Sequence, residues 1–243
     1  MKQFTVNAAR VPGPVGMGTP LDQRSVSDLA ATLPVMNRLA LSYAPRPTRQ
    51  PTLALLALDA RLAAIVRGQK EPMLAQLRLA WWRDVLGQPV SAWPDGEPLL
   101  AALRSWRDAH APLAALVDGW EGMVGDAPLG AAAFEALAQG RGCGFAALAE
   151  VVGSGSHGGE AGRLGGNVAL ADLAVRVSHP AERECLALLA RDRDWRAAAL
   201  PRALRPLAVL HGLAARSLRR GFAPEPGGVS DLFRAMRLGL LGR

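Results

Sequence analysis

Residues 55–66 have the sequence LLALDARLAAIV, and residues 71–86 have the sequence EPMLAQLRLAWWRDVL. Apolar residues recur every three or four positions in both segments, which is the spacing of one face of an α-helix. Pro72 is typical of a first helical turn, and Gly87 of the position where a helix ends. We expect the second helix to bury a stripe formed by Leu74, Leu77, Trp81 and Val85.

The whole chain is patterned for helices. Half of its 243 residues are apolar and only 5% are aromatic, and the many Ala and Leu residues favour helices over a sheet of β-branched residues. This length is enough for one domain with a sizeable core. We predict an all-α, single-domain bundle of about eight to ten helices, at residues 27–43, 53–68, 72–86, 97–109, 112–124, 129–152, 162–178, 180–195, 200–220 and 229–240.

Glycine and proline mark the expected interruptions. Gly140, Gly142 and Gly144 are expected to weaken the helix at 129–152, and residues 153–166 to form a Gly-rich loop. Residues 1–25 contain a cluster of Pro and Gly and lack the apolar core of a signal peptide. We therefore expect a disordered leader at 1–25, followed by a helical domain at 26–243.

Charge is distributed unevenly along the chain. Residues 183–243 carry twelve Arg against five acidic residues, so the net charge of +7 comes from this region. On a helix at 200–220, five arginines share an arc of about 100° opposite the apolar residues. These arginines are Arg202, Arg205, Arg216, Arg219 and Arg220. Such a helix is either an ordinary solvated surface or a contact for anionic lipid head groups or an acidic partner.

Several common sites are not indicated. Cys143 and Cys185 have no Cys-x-x-Cys partner and no nearby His, so we expect reduced thiols and neither a disulfide nor a zinc site. Residues 153–158 match the string G-x-G-x-x-G, but that motif binds dinucleotides only between a strand and a helix, and here a helix is predicted before it. No nucleic-acid binding is expected, because no aromatic residues are interleaved with the arginines of the basic helix.

The segment from Met73 to Arg83, with its Trp-Trp-Arg string, resembles the squalene/phytoene synthase family, and the similarity extends from about Leu29 to Phe222. It looks most like the divergent branch that includes the phytoene-synthase-like assembly factor of mitochondrial respiratory complex I. The resemblance implies an isoprenoid-synthase-like helical fold with a central cavity for isoprenoid chains. It also implies a set of signature or cavity residues, namely Arg61, Arg78, Trp81, Trp82, Arg83 and Arg176.

Active members of that family hold Mg²⁺ with two D-x-x-x-D motifs on facing helices, and these ions clamp a prenyl diphosphate. Carboxylates at positions i and i+4 lie on one helix face and supply the hard oxygen ligands that Mg²⁺ requires. No D-x-x-x-D string occurs in this chain, and the segments that correspond to the two motifs are 63–67 and 167–182. Asp172 and Arg176 stand four residues apart, which suits a salt bridge better than a metal.

The sequence is compatible with three functions. We favour a catalytically degenerate family member, with no catalytic residues, metal or cofactor, that acts as an isoprenoid-binding, lipid-binding or membrane-associated assembly protein. The alternative is an active prenyltransferase that joins two prenyl diphosphates through an unconventional Mg²⁺ site, drawn from Asp59, Asp84, Asp172 and Glu182. The third is a helical interaction module without a ligand cavity.

Location and partners depend on the basic helix and on the cavity. We expect a cytoplasmic protein, which would be peripheral on the inner membrane if the basic helix contacts lipid. Its partners would be an isoprenoid or lipid ligand, together with an anionic membrane surface or a membrane protein.

Overall fold

The computed structural model describes residues 23–68 and 71–222. No strand occurs among these residues, and the all-α prediction is confirmed. The helices are α1 (Gln23–Ala31), α2 (Val35–Ser42), α3 (Arg46–Gly68), α4 (Pro72–Leu86), α5 (Pro98–Leu103), α6 (Ala114–Glu121), α7 (Ala131–Val151), α8 (Gly158–Arg176), α9 (Pro180–Arg191) and α10 (Arg205–Arg219). Short 3₁₀ segments lie at Val90–Ala92, Arg104–Leu113, Gly155–His157 and Arg202–Leu204.

Several predicted boundaries are wrong, and proline accounts for two of them. Pro34 divides the helix expected at 27–43 into α1 and α2, because its extended backbone (ψ 150°) cannot continue a helix. In contrast, α3 begins at Arg46 rather than at residue 53, since Pro47 lies in the first turn, where a missing N–H costs nothing. Helix α1 begins inside the predicted leader. The rest of that leader and the predicted helix 229–240 lie outside the described residues.

Helices α3 and α7 form the centre of the bundle. Every residue from Pro51 to Leu58 in α3 is buried, as expected for a helix that is apolar on all sides. Helix α7 packs between α6 and α8. The glycines of α7 do not interrupt the helix. Gly140 and Gly142 lie where neighbouring backbones approach, whereas Gly144 faces the side chain of Leu55. A Cβ atom on Gly140 would stand 2.4 Å from the carbonyl oxygen of Ala115 in α6.

The prediction of a Gly-rich loop at 153–166 is also wrong, because its glycines lie at a close contact between helices. Helix α8 begins at Gly158, so most of that stretch is helical. A Cβ on Gly142 of α7 would stand 2.9 Å from the carbonyl oxygen of Gly162 in α8. The glycines therefore allow two helices to pack with almost no side chain between them.

The direction of the central helices follows from the residues that meet across them. Helix α7 runs antiparallel to α3 and antiparallel to α8, so α3 and α8 run in the same direction. The pairs that establish this are Gly144 with Leu55 and Arg141 with Asp59 on the α3 side, and Gly142 with Gly162 and Ala138 with Gly166 on the α8 side.

Helix α4 buries a different face from the one predicted. Its buried residues are Ala75, Leu79, Trp82, Val85 and Leu86. Of the predicted stripe only Val85 is buried, whereas Leu77 is 68% exposed and Trp81 is 43% exposed. The prediction failed because both faces of α4 carry large apolar residues, so the spacing alone does not select one. No helix in the described part of the chain is both long enough and apolar enough to cross a membrane.

Candidate functional site

A cavity of about 450 Å³ lies between α2, α3, α7, α8 and α10. Its volume falls within the range of about 300–1,000 Å³ that is typical of small-molecule pockets. Much of its wall is apolar and includes Leu56, Ala60, Ala63, Phe145, Leu210 and Leu213. The bundle therefore forms a partly open pocket in which an apolar ligand would be largely removed from water.

Arg141 lies at this cavity and joins two carboxylates from different helices. Its side chain is only 7% exposed. Its Nε donates a hydrogen bond to Asp59 Oδ1 at 3.0 Å, and both terminal nitrogens donate to Asp172 Oδ2 at 3.2 Å. The indole N–H of Trp120 donates to the same oxygen of Asp59 at 2.8 Å. Arg176 donates to Asp172 Oδ1 at 2.6 Å, which confirms the predicted salt bridge between these two residues.

The charges of this network keep one another ionised. Burial alone raises the pKa of the Asp172 carboxyl, but Arg141 and Arg176 outweigh burial and hold that pKa below its usual value. Burial lowers the pKa of Arg141, and Asp59 and Asp172 more than offset that effect. Both carboxylates are thus acceptors for guanidinium groups, and their negative charge is balanced by protein cations.

We expect Asp172 to contribute stability that is lost in acid. Because its pKa is lower in the folded chain than in the unfolded chain, this contribution is complete above about pH 4, the usual carboxyl pKa, and disappears as the pH falls through the folded-state pKa. Asp172→Asn should therefore make the free energy of unfolding less dependent on pH below about 4. Urea denaturation between pH 2.5 and 7 measures this, with the exposed Asp108→Asn as control. An unchanged pH dependence in Asp172→Asn would contradict the assignment.

The residues that line the cavity do not fit a Mg²⁺ ion. Two aspartates line it, Asp59 and Asp172, and both already accept hydrogen bonds from Arg141. Five arginines also belong to the described lining, namely Arg67, Arg141, Arg176, Arg216 and Arg220. Within 23–68 and 71–222, no three His, Cys, Asp or Glu residues are close enough to hold a metal ion. In the described lining, Mg²⁺ would therefore find no carboxylate that is not already bonded to Arg141.

Of the four candidate carboxylates, only two lie close to each other. Asp59 and Asp172 meet at Arg141. Asp84 is exposed on α4 and does not line the cavity. Glu182 is buried in the first turn of α9, where it accepts a hydrogen bond from the Leu129 N–H at 2.8 Å.

Of the signature residues, Arg176 alone lines the cavity. Arg83 bonds to Asp118 at 2.6 Å and also to Glu121, and so fastens α4 to α6. Trp82 is buried, and its ring lies edge-to-face against that of exposed Trp81, with 5.0 Å between ring centres. The other two are exposed: Arg61 lies 3.5 Å from Glu97, and Arg78 is on the outer face of α4.

The five arginines of the predicted basic helix have different surroundings. Arg202 lies in a 3₁₀ turn and Arg205 begins α10. Arg219 is exposed, whereas Arg216 and Arg220 line the cavity. The arc of arginines therefore extends from the protein surface to the cavity.

Sequence reasoning missed Arg141 and Arg67. Arg141 stands between two glycines in an otherwise apolar helix. A lone arginine flanked by glycines was the available signal, because the glycines mark a close helix contact and a charge there requires a buried partner. Arg67, in the last turn of α3, carried no comparable signal.

Residues 37–133 match the squalene/phytoene synthase family. The match covers less than half of the chain, from α2 to the first residues of α7, and it is shorter than the similarity expected from Leu29 to Phe222. It includes the segment with the Trp-Trp-Arg string and also Asp59, but it ends before Arg141 and Asp172. No curated protein and no solved structure matched the chain.

Proposed function

We propose that the chain as a whole belongs to the squalene/phytoene synthase family and is a non-catalytic member that binds a ligand in its central cavity. The match over residues 37–133 and the all-α fold support the family. The observation that carries the non-catalytic assignment is the position of Arg141, which lies between Asp59 and Asp172 and bonds to both.

The chemistry of prenyl transfer explains why this position matters. A prenyl diphosphate ionises only when the charge of its leaving group is neutralised, and bound Mg²⁺ contributes several kcal/mol to that step. Each 1.4 kcal/mol of lost stabilisation costs about a factor of ten in rate. A carboxylate that is already paired with a buried guanidinium is a poor metal ligand, because binding the metal would leave the arginine without its partner.

The cavity supports binding of one apolar chain. Its volume of about 450 Å³ is that of a pocket for a single small molecule. Coupling of two prenyl chains would need room for both. We therefore infer a protein that holds one isoprenoid or other lipid chain between α3, α7, α8 and α10.

A second observation favours an assembly role like that of the divergent branch. Met73, Leu77 and Trp81 follow one another at four-residue spacing along α4, and all three are exposed. A contiguous exposed apolar face of this kind is typical of a protein or membrane contact. We propose that a membrane-associated partner covers this face, which would place the protein peripherally on a membrane.

We expect no prenyl transfer by the purified protein. Incubation with radiolabelled farnesyl or geranylgeranyl diphosphate, Mg²⁺ and NADPH should release no diphosphate and yield no hydrocarbon, while an active squalene synthase in the same assay yields both. Quenching of tryptophan fluorescence by the same compounds should report binding, because Trp120 contacts Asp59 at the cavity. Product formation that stops when Mg²⁺ is chelated would overturn the proposal and support an active prenyltransferase.

A further inference from the structure

The cavity opens to solvent where α3, α8 and α10 end. Most of its apolar wall is buried, including Leu56 and Phe145. Five of its lining residues are exposed, and they lie at the beginning of α2 and near the ends of α3, α8 and α10. We call these five residues the cavity mouth: Val35, Arg67, Val175, Arg176 and Arg220.

Two residues of the cavity mouth are apolar. Val35 is 66% exposed and Val175 is 43% exposed. Single exposed apolar residues are common on protein surfaces. These two, however, line the same cavity and continue its apolar wall outward. The cavity mouth is therefore an apolar surface that no described residue covers.

The chain passes the cavity mouth just before the last described residue. Helix α10 ends in a Schellman motif, in which the Phe222 N–H donates to the Ser217 carbonyl and the Gly221 N–H donates to the Leu218 carbonyl, both at 2.9 Å. Gly221 and Phe222 have φ values of 66° and 59°, so the chain cannot continue along the helix axis. Phe222 also packs against the hydrophobic core. The following residues therefore leave from a fixed point, two positions after Arg220.

Residues 229–240, the predicted final helix, carry an apolar face. On a helix its members share an arc of about 100°. They are Val229, Leu232, Phe233, Met236 and Leu240. The connector 223–228 has six residues, two of them Pro and two Gly, and spans at most about 20 Å. Because this connector starts beside Arg220, the cavity mouth lies within its reach.

Two observations favour the cavity mouth over the exposed apolar face of α4. Helix α10 packs on α2 and α8, which both contribute to the mouth, whereas α4 packs on α3 and α6. The mouth is therefore the apolar surface nearer to Phe222. Charge also matches, because the charged residues of the mouth are all arginines and the connector carries one charge, that of Glu225.

We infer that residues 229–240 cover the cavity mouth, with their apolar face on Val35 and Val175, and that they must move away before a ligand enters. Its consequence for ligand binding rests on the proposed function, whereas the position of the segment does not. A short flexible tether gives an effective concentration on the order of millimolar, so weak contacts are enough to keep the mouth covered. A ligand then binds with an apparent affinity reduced in proportion to the fraction of open protein.

Disulfide trapping in the full-length protein tests the position of the segment. Val175→Cys is combined with one cysteine in the segment, after Cys143→Ala and Cys185→Ala have removed the native thiols. Two cysteines join only when their Cα atoms are within about 7 Å. We expect at least tenfold more intramolecular disulfide with cysteine at 232, 233 or 236 than at 231, 234 or 238, which lie on the other side of the helix. Leu77→Cys on α4, exposed but outside the cavity, replaces Val175→Cys as the control and should trap none of them.

Hydrogen exchange tests the same contact without added or removed cysteines. Leu232→Glu with Met236→Glu places charge on the apolar face of the segment and should release it from the mouth. We expect amide exchange at 35–38 and 174–177 to become at least tenfold faster in this variant. Arg234→Gln with Arg237→Gln is the matched control, because it changes two residues outside the apolar face, and its exchange should equal that of the unmodified protein.

Calorimetry with farnesol then tests the effect on the cavity. Because the segment competes with the ligand, the Leu232→Glu, Met236→Glu variant should bind farnesol at least tenfold more tightly than the unmodified protein. The Arg234→Gln, Arg237→Gln control should bind it with unchanged affinity.

The outcomes separate the inference from the proposed function. Trapping by Leu77→Cys, disulfides only between two chains, equal trapping on both sides of the segment, or unchanged exchange in the Leu232→Glu, Met236→Glu variant would each overturn the inference, and farnesol binding would still support the proposed function. Trapping on the apolar face together with no farnesol binding by any of the proteins would overturn the proposed function and leave the segment at the mouth.

Discussion

Arg141→Met should destabilise the folded protein by about 3–5 kcal/mol, the usual cost of removing one partner of a buried ion pair. The Arg141 side chain is almost fully buried, and it donates to Asp59 and Asp172 from different helices. Without it, Asp59 keeps the hydrogen bond from Trp120 but has lost its positive partner. The lost stability is therefore mainly the cost of leaving the Asp59 carboxylate without its cationic partner in a region of low dielectric, since Asp172 keeps its ion pair with Arg176.

Urea denaturation at pH 7 measures this effect, and two further variants test its cause. Arg176→Gln removes an ion pair to the same Asp172 from a side chain that is 46% exposed, so it should cost only about 0–1 kcal/mol. The double variant with Arg141→Met and Asp59→Asn should recover much of the loss, because Asp172 keeps its ion pair with Arg176 and no unpaired carboxylate remains. A loss below about 1 kcal/mol in Arg141→Met would show that the network does not stabilise the fold.

Gly140→Ala should also destabilise strongly, at or above the upper end of the range of about 1–3 kcal/mol for overpacking. The added Cβ would stand 2.4 Å from the carbonyl oxygen of Ala115 and 3.0 Å from the Cα of Leu116. Both atoms belong to the backbone of α6, so the whole helix must move to relieve the contact. The gain in helix propensity, about 1 kcal/mol, is too small to offset this.

Gly159→Ala is the matched control for that substitution. Gly159 lies in the first turn of α8, and a Cβ there would meet no atom within 4 Å. It should therefore stabilise the protein slightly, by about 0.4–1 kcal/mol, because alanine restricts the unfolded chain more than glycine does. Thermal unfolding of the two variants should shift the melting temperature in opposite directions. A Gly140→Ala protein as stable as Gly159→Ala would contradict the close packing of α6 on α7.

Local features of this chain were predictable because local rules govern them. The spacing of apolar residues follows the period of the helix, and it identified an all-α protein. Pro72 marked the first turn of α4, and the four-residue separation of Asp172 and Arg176 placed both on one helix face. The missing D-x-x-x-D motifs were likewise visible directly in the sequence, since those ligands would have to stand at fixed spacing.

Which residues form the site depends on which helices pack against one another. Local sequence patterns do not determine that packing. Apolar residues on both sides of α4 left its buried face undetermined until α3 and α6 packed against one side. Glycines that weaken an isolated helix became the places where α6 and α8 approach α7.

Arg141 and Asp59 are 82 positions apart and meet only because α7 lies antiparallel to α3. The sequence by itself determined the helices and the types of residue available for a site. Only the tertiary structure decided which of those residues share the cavity, because that depends on contacts between segments distant in the chain.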